Sequence, residues 1–330
     1  MRSAGRDFRT DGNVSVPVLV AALALLGLSG CHSFDRHAPV EVRTPDESSL
    51  AVSASSPVRD EVLPESVPRW VLSSSEDFAG AVLPLPPCPM PLADRFRQEK
   101  DNLWLDARNY YTWPTLRDIA LSLGGASILA NTSLDQDFRD WYQDDMRASG
   151  LDKLADVAQR FGDGRIVVPA CVALGLAGAL HDDTPWGGGS ADFGSRTVRA
   201  YAVGAPSLLF VQYLLGGSRP GRSDEGSYWR PLDSPYGASG HAFVGAVPFL
   251  TAAQMTDDRC LKGLLSFCSV LPAWSRVNDD QHYLSQTILG WWIAYLACDA
   301  INTTQRADDR LLIAPIVGPE TVGATVMYRY

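Results

Sequence analysis

The chain has few basic residues and nowhere gathers them. Lys and Arg number 28 against 38 Asp and Glu, a formal charge of −10 over 330 residues, and no Lys/Arg run breaks that balance. Nucleic acid is therefore excluded as a partner, since binding a phosphate backbone needs a local cationic surface. Cysteine is also scarce: six residues, no CxxC, and no His beside Cys at the spacing of a zinc site. Apart from Cys31 the set is odd, namely Cys88, Cys171, Cys260, Cys268 and Cys298. Cys260 and Cys268 would stand roughly 12 Å apart on one helix, too far for a bridge. Buried thiols are the simplest reading. Apolar runs are short and interrupted, with Pro248 cutting one and Asp299 ending another, which favours a water-soluble domain over a protein of several spans.

What is there begins with an ordinary globular composition, 46% hydrophobic and 20% charged, enough for one sizeable domain plus extras. The first thirty residues are a targeting segment. Arg2, Arg6 and Arg9 form a basic start, diluted by Asp7 and Asp11, and Val16 to Leu26 is an apolar stretch too short to span a bilayer comfortably. Leu28-Ser29-Gly30-Cys31 follows and resembles the bacterial lipobox, which implies lipidation of Cys31 as the first mature residue. Removing residues 1–30 takes away three Arg and two Asp and leaves −11. His32 rather than Asp after the Cys points to outer-membrane sorting.

Residues 31–100 read as a tether rich in Pro, Ser and Val, because repeated Pro removes backbone donors and favours extended chain. From there the pattern is helical. Thr115 or Asp118 starts a helix through Leu129. Asp135 to Arg147 places Phe138, Trp141, Tyr142 and Met146 on one face. Leu151–Phe161, a buried Arg165–Leu180, and Ser195–Leu215 ended by Gly216-Gly217 come next. After a Gly/Pro-rich loop, helices are expected over Gly240–Met255, Arg259–Trp274 and Asp280–Ala300, the last with an apolar stripe of Leu284, Ile288, Trp291, Trp292 and Tyr295. Leu311–Val317 and Gly323–Tyr330 around Gly318-Pro319-Glu320 read as a β-hairpin whose first strand, with Pro315, is an edge. The expected class is all-α with a C-terminal hairpin: signal peptide 1–30, tether 31–100, helical domain 101–306 and tail 307–330.

Three phrases carry the chemistry. Ser239-Gly240-His241 opens a helix; Ser caps well, Gly admits close backbone approach, and the free N–H groups there suit an anion. Arg219-Pro220 lies just past a helix end. Ser275-Arg276 is followed six residues on by His282. In this order, Gln212-x6-Arg219-Pro220, Ala238-Ser239-Gly240-His241 and Ser275-Arg276-x5-His282-x3-Gln286 resemble the signature of the type-2 phosphatidic acid phosphatase and vanadium haloperoxidase superfamily, which runs Lys-x6-Arg-Pro, Pro-Ser-Gly-His and Ser-Arg-x5-His-x3-Asp. Leu284-Ser285 and Gly290 fit the same helix, and the resemblance covers roughly residues 105–305.

The resemblance implies a helical bundle of that type and a metal-independent phosphatase. His282 is then the nucleophile, forming a phosphohistidine, and His241 protonates the leaving alkoxide and helps water attack afterwards. Arg219, Arg276, Ser239 and the Gly240 N–H hold the non-bridging oxygens. Phosphoryl transfer asks for these types: always-charged planar guanidinium forks and imidazoles that exchange protons near neutral pH. No cofactor is implied, vanadate entering only if the chain is a haloperoxidase. Ala238 for Pro is a mild departure. Gln212 for Lys removes a charge from the cradle, and charge-assisted bonds are about twice as strong as neutral ones. Gln286 for Asp can accept the ring N–H but does not stabilise a cationic ring as a carboxylate does; loss of a comparable carboxylate costs serine proteases about 10⁴ in rate. Asp279, Asp280, Arg222 and Arg230 are near in sequence and are candidates to compensate. The leading function is a phosphatase of phosphomonoesters or lipid phosphates, anchored through Cys31 in the cell envelope. A non-catalytic envelope scaffold that keeps the fold, favoured by the two Gln substitutions, and a haloperoxidase, disfavoured by Gln212, are the alternatives.

Overall fold

The computed structural model describes residues 92–181, 184, 186–221, 226–317 and 322–328. The targeting segment, Cys31 and most of the tether lie outside the described residues. Within them the domain is all-α, with a two-stranded hairpin at its end. The helices are α1 (Leu92–Tyr110), α2 (Trp113–Ala130), α3 (Leu134–Trp141), α4 (Ser149–Ala158), α5 (Gly164–Leu180), α6 (Gly187–Leu215), α7 (Gly240–Gln254), α8 (Arg259–Cys268), α9 (Leu271–Asn278) and α10 (Leu284–Arg310). A π-turn, Tyr142–Met146, extends α3, and a 3-10 turn, Gln159–Gly162, extends α4. Strands β1 (Leu311–Val317) and β2 (Val322–Tyr328) pair antiparallel, with Leu311 opposite Tyr328 and Pro315 opposite Ala324.

Several boundaries differ from the sequence expectation, each for a local reason. α1 begins at Leu92, inside the stretch read as tether, because the last Pro before it is Pro91. The helix expected over Arg259–Trp274 is two: α8 stops at Cys268 and α9 restarts with Pro272 in its first turn, where a missing N–H costs nothing. Pro248 stands buried inside α7 without ending it. Ser275 and Arg276 therefore lie in the last turns of α9.

The core is built around α7 and α10. Phe243, Val247 and Leu250 of α7 meet Leu289, Ile293 and Ala297 of α10, with Leu208 and Val211 of α6 in the same cluster. Each such large side chain contributes roughly 1.5–3 kcal/mol by leaving water. The apolar stripe expected for α10 is not its core face: Ile288 and Tyr295 are exposed and Trp291 and Trp292 half-buried. α10 packs on α1, α2, α6, α7 and α9, so its small and branched residues take the interior and its aromatic ones stack at the edge. A second cluster joins Val167 and Cys171 of α5, Phe193 of α6 and Leu265 of α8. The described cysteines Cys171, Cys260, Cys268 and Cys298 are unbridged.

Polar ties set how the helices meet. Arg199 of α6 and Asp106 of α1, both buried, pair at 2.9 Å. Asp163 and Asp258 cap α5 and α8 through the backbone N–H groups of Arg165 and Leu261. The buried Asp135 of α3 caps α10 from outside, accepting the Ser285 N–H at 3.0 Å and its hydroxyl. Close backbone approach does the rest. A Cβ on Gly194 of α6 would come within 2.4 Å of the Gly175 Cα of α5. Gly194→Ala is thus expected to force the two helices apart and lower the melting temperature by about 4–10 °C, read by far-UV circular dichroism, since overpacking of this kind costs about 1–3 kcal/mol.

Candidate active site

The spacing Ser-Arg-x5-His has a structural cause in the way α9 ends. Asp279 is the last half-helical residue, and Asp280 is left-handed with φ of 53°. The Asp280 N–H donates to the Val277 carbonyl at 3.1 Å and the Gln281 N–H to the Arg276 carbonyl at 2.9 Å. These are the two bonds of a Schellman motif, with Asp in the position that usually takes Gly. A left-handed non-Gly residue is unfavourable by about 1–2 kcal/mol. Here the Asp280 carboxylate is gripped by Arg139, each guanidinium N–H lying 2.6 Å from its oxygen. The next N–H, that of His282, also donates to the Arg276 carbonyl, at 3.2 Å. The turn thereby returns the histidine to the arginine six residues behind it.

His282 is buried, and its ring is oriented by one amide. Its Nδ1 lies 2.8 Å from Gln286 Oε1, which also accepts the Tyr283 N–H at 3.3 Å. Gln286 Nε2 donates to the Ser218 carbonyl at 2.9 Å. A carbonyl only accepts, so the amide nitrogen must face Ser218 and the amide oxygen must face the ring. Nδ1 therefore carries the proton and Nε2 keeps its lone pair. Gly217 allows this, since a Cβ there would reach 2.9 Å from Gln286 Nε2.

The second imidazole arrives on α7. Ser239 caps that helix, its hydroxyl accepting the Ala242 N–H at 3.3 Å. The Ser239 N–H donates to the Gln286 carbonyl at 2.8 Å, joining the starts of α7 and α10. Gly290 makes the joint possible: a Cβ there would lie 2.2 Å from the Ser239 carbonyl oxygen. His241 then sits against Gly162, where a Cβ would come within 2.8 Å of its carbonyl oxygen and 3.1 Å of its ring Cδ2. Gln212, near the end of α6, donates from Nε2 to the Ala238 carbonyl at 2.9 Å and lies beside Gly240. Its amide thus occupies the edge of the α7 N-terminus.

Two guanidinium groups complete the arrangement. Arg219 follows the Gly216-Gly217 turn and lies over the Tyr236 ring, 4.4 Å from its centroid. The buried Arg276 donates to Gln159 Oε1 at 3.1 Å and to Asp279 at 3.3 Å, while its Nε is buried with no hydrogen-bond partner among the described residues. Burial pulls the Arg276 guanidinium below its ordinary value; Asp279 opposes the shift and Arg219 adds to it. Burial also depresses His282, to about 3, against the Gln286 bond and with the charges of Arg219, Arg276 and His241. His241 is lowered to about 4, by burial first and then by Arg276, against Asp163, with Arg219 and Arg165 adding. Two neutral imidazoles thus share a cationic field, an arrangement suited to an anion.

All the expected residues of the folded domain meet here: His241, His282, Gln286, Gln212, Arg219, Ser239, Gly240 and Arg276. Of the candidate compensating groups, Asp279 pairs with Arg276 and Asp280 with Arg139; Arg222 lies outside the described residues. Among the described residues no carboxylate is hydrogen-bonded to His282. Sequence reasoning missed Gln159, Gly162, Asp135 and Ser218. Gly162-Asp163-Gly164 was legible only as a helix boundary, and Ser218 acts through a backbone carbonyl.

No protein-family model matches this chain, and the curated proteins contain no match. The chain is similar to a solved structure, that of a transmembrane PAP2 type phosphatidylglycerolphosphate phosphatase from Bacillus subtilis. The match has a TM-score of 0.39 and 13% sequence identity, and covers 64% of this chain and 95% of that one.

The amide bridge yields a test. Gln286→Glu keeps the length but puts a carboxylate opposite the His282 Nδ1–H, and it strips the Ser218 carbonyl of its donor. The His282 ring, followed by NMR, is expected to hold its proton to higher pH than in the wild type, since an ionised acceptor strengthens the bond to a cationic ring. An unchanged or lower titration would mean that the Ser218 tie matters more than the charge.

Proposed function

We propose that this chain is a phosphatase that hydrolyses phosphomonoesters or lipid phosphates through a phosphohistidine on His282. The observation that carries the reading is the Gln286 bridge: it leaves a neutral His282 with its Nε2 lone pair free, in a pocket shared with His241 and two arginines. In the first step Nε2 attacks phosphorus and the bond from phosphorus to the leaving oxygen breaks. His241 gives its proton to that oxygen, so an alcohol departs. In the second step water attacks the phosphohistidine, His241 takes the water proton, the P–N bond breaks, and inorganic phosphate leaves. Arg219, Arg276, the Ser239 hydroxyl, the Gly240 N–H and the Gln212 amide stabilise the equatorial oxygens throughout. His241 must be protonated for the first step, yet is held at about 4 in the unliganded pocket. The incoming phosphate supplies the remedy: its negative charge offsets the arginine field, and its monoanion can bring the proton itself.

The test is hydrolysis of p-nitrophenyl phosphate by the purified full chain in detergent with a chelator present. Turnover should survive the chelator, fall with vanadate, and disappear in His282→Ala. kcat/KM should drop about tenfold per pH unit above the second pKa of the substrate, about 6 for an alkyl phosphomonoester and lower for this nitrophenyl ester. Binding of phosphate without turnover would turn the reading to a scaffold, and bromide oxidation by the vanadate-loaded protein to a haloperoxidase.

The lipobox-like Leu28-Ser29-Gly30-Cys31 supports an anchor at Cys31, in the outer membrane facing the periplasm. Metabolic labelling with a tagged fatty acid should mark the wild-type chain and leave Cys31→Ser unmarked; equal labelling of both would remove the anchor.

A further inference from the structure

An amphipathic helix ordinarily turns its apolar side inward, and α3 with its π-turn largely does the reverse. Of the apolar face expected from the sequence, Tyr142 is buried, but Trp141 and Met146 are 47% and 48% exposed. The inward side is mostly polar: Asp135, Gln136 and Arg139 on α3, then Tyr142 and Gln143 on the π-turn, at the spacing of one helical face. Behind it lies the stretch from Trp274 to Ser285, which carries Arg276 and His282.

The bonds from this face fall on both sides of the Asp280 turn. The Trp274 indole N–H donates to the Tyr142 hydroxyl at 2.7 Å, which donates in turn to Asn278 Oδ1 at 3.1 Å. Gln143 Nε2 donates to the Val277 carbonyl at 2.8 Å. These bonds hold the end of α9. Past the turn, the Tyr283 hydroxyl donates to Gln136 Oε1 at 3.1 Å and the Ser285 N–H to Asp135 Oδ1 at 3.0 Å, which holds the start of α10. Between the two groups stands Arg139. Its Nε and Nη2 each lie 2.6 Å from an Asp280 carboxylate oxygen, and its Nη1 donates to Asp140 at 3.1 Å. Residue 280 is where the backbone resists, because a φ of 53° is disfavoured for an L side chain. A two-bonded, half-buried ion pair is the kind of contact that fixes geometry.

We propose that Arg139 is a positioning residue for His282: by holding Asp280 left-handed it fixes the turn that returns the imidazole to Arg276. The other ties secure the helices on either side but leave the two dihedrals of residue 280 unconstrained. Without Arg139, Asp280 relaxes toward the right-handed region that L residues favour, and the Gln281 and His282 N–H groups swing off the Arg276 carbonyl. The imidazole then loses its register with Gln286, whose Oε1 is shared by His282 Nδ1 and the Tyr283 N–H. Backbone and charge are separable here, because glycine adopts the left-handed region with no partner. With Asp280→Gly the turn has no need of Arg139. Arg139 acts through Asp280 and is not itself a catalytic residue.

The test uses the purified full chain in detergent, with two readouts. One is kcat/KM for p-nitrophenyl phosphate, which rests on the phosphatase reading. The other, which does not, is the hydrogen-bonded Nδ1–H signal of His282 by NMR with histidine-selective ¹⁵N labelling, practicable with five histidines and assigned by its loss in His282→Ala. Arg139→Ala should lower kcat/KM by roughly 10²-fold, the cost of a displacement near 1 Å, and broaden the Nδ1–H signal, with far-UV circular dichroism unchanged. Arg139→Ala/Asp280→Gly should regain both. Arg139→Ala/Asp280→Ala, equally uncharged but without glycine's freedom, should regain neither. Wild-type behaviour of Arg139→Ala overturns the proposal, as does a loss that Asp280→Gly does not restore. Equal recovery with Asp280→Ala also overturns it, by assigning the effect to charge. A wild type that fails to hydrolyse the ester overturns the phosphatase reading alone, and the Nδ1–H signals of the same variants still decide the role of Arg139.

Discussion

One carbonyl, that of Arg276, holds the candidate site together. It accepts the N–H groups of both Gln281 and His282, which closes the end of α9 and returns the chain so that the guanidinium and the imidazole belong to one turn. The geometry requires a left-handed residue at position 280, and Asp takes it because Arg139 grips its carboxylate. From this turn α10 starts, capped from outside by Asp135. The first turn of α10 then offers the Gln286 carbonyl to Ser239, which places the start of α7, and so His241. Disturbing the α9 end would displace every catalytic candidate at once.

The two glutamines change the site's electrostatics more than its shape. Where the resembled signature has Lys and Asp, this chain has two amides, and each is used in a neutral hydrogen bond to a backbone carbonyl. The substitutions remove one positive and one negative charge together, so they cancel in the local sum. What remains is a pocket with two guanidinium groups, the half-buried Arg219 and the buried Arg276 beside Asp279. Buried charges are costly when uncompensated, and a bound anion would relieve that cost. Burial first, and then the same field, keeps His241 and His282 neutral, which suits the nucleophile of the proposed mechanism and makes its proton donor depend on the ligand's own charge.

Much of this was legible in particular residues. Ser239 before Gly240 announced a helix start, and Gly216-Gly217 announced the end of α6, because caps and stops are local events of backbone chemistry. Other features were not. The aromatic run Trp291, Trp292 and Tyr295 looked like a core stripe, but the interior of α10 belongs to Leu289, Ile293 and Ala297. Periodicity identifies an apolar face without saying which of several packed neighbours lies behind it. Gln159, which holds Arg276, and Gly162, which makes room for His241, come from a 3-10 turn more than a hundred positions before Arg276. Nothing in their neighbourhood distinguishes them from ordinary helix-end residues.

By itself the sequence determined the helical class, the chemical types available to a phosphate, and their order along the chain, because periodicity, capping and side-chain chemistry are properties of short segments. Tertiary structure alone decided which ring nitrogen of His282 is free, which carbonyl each glutamine serves, and how far burial moves each imidazole. Those outcomes depend on donors and acceptors from α6, α7, α9 and α10 meeting in three dimensions, with water excluded from between them, and no local pattern carries that information.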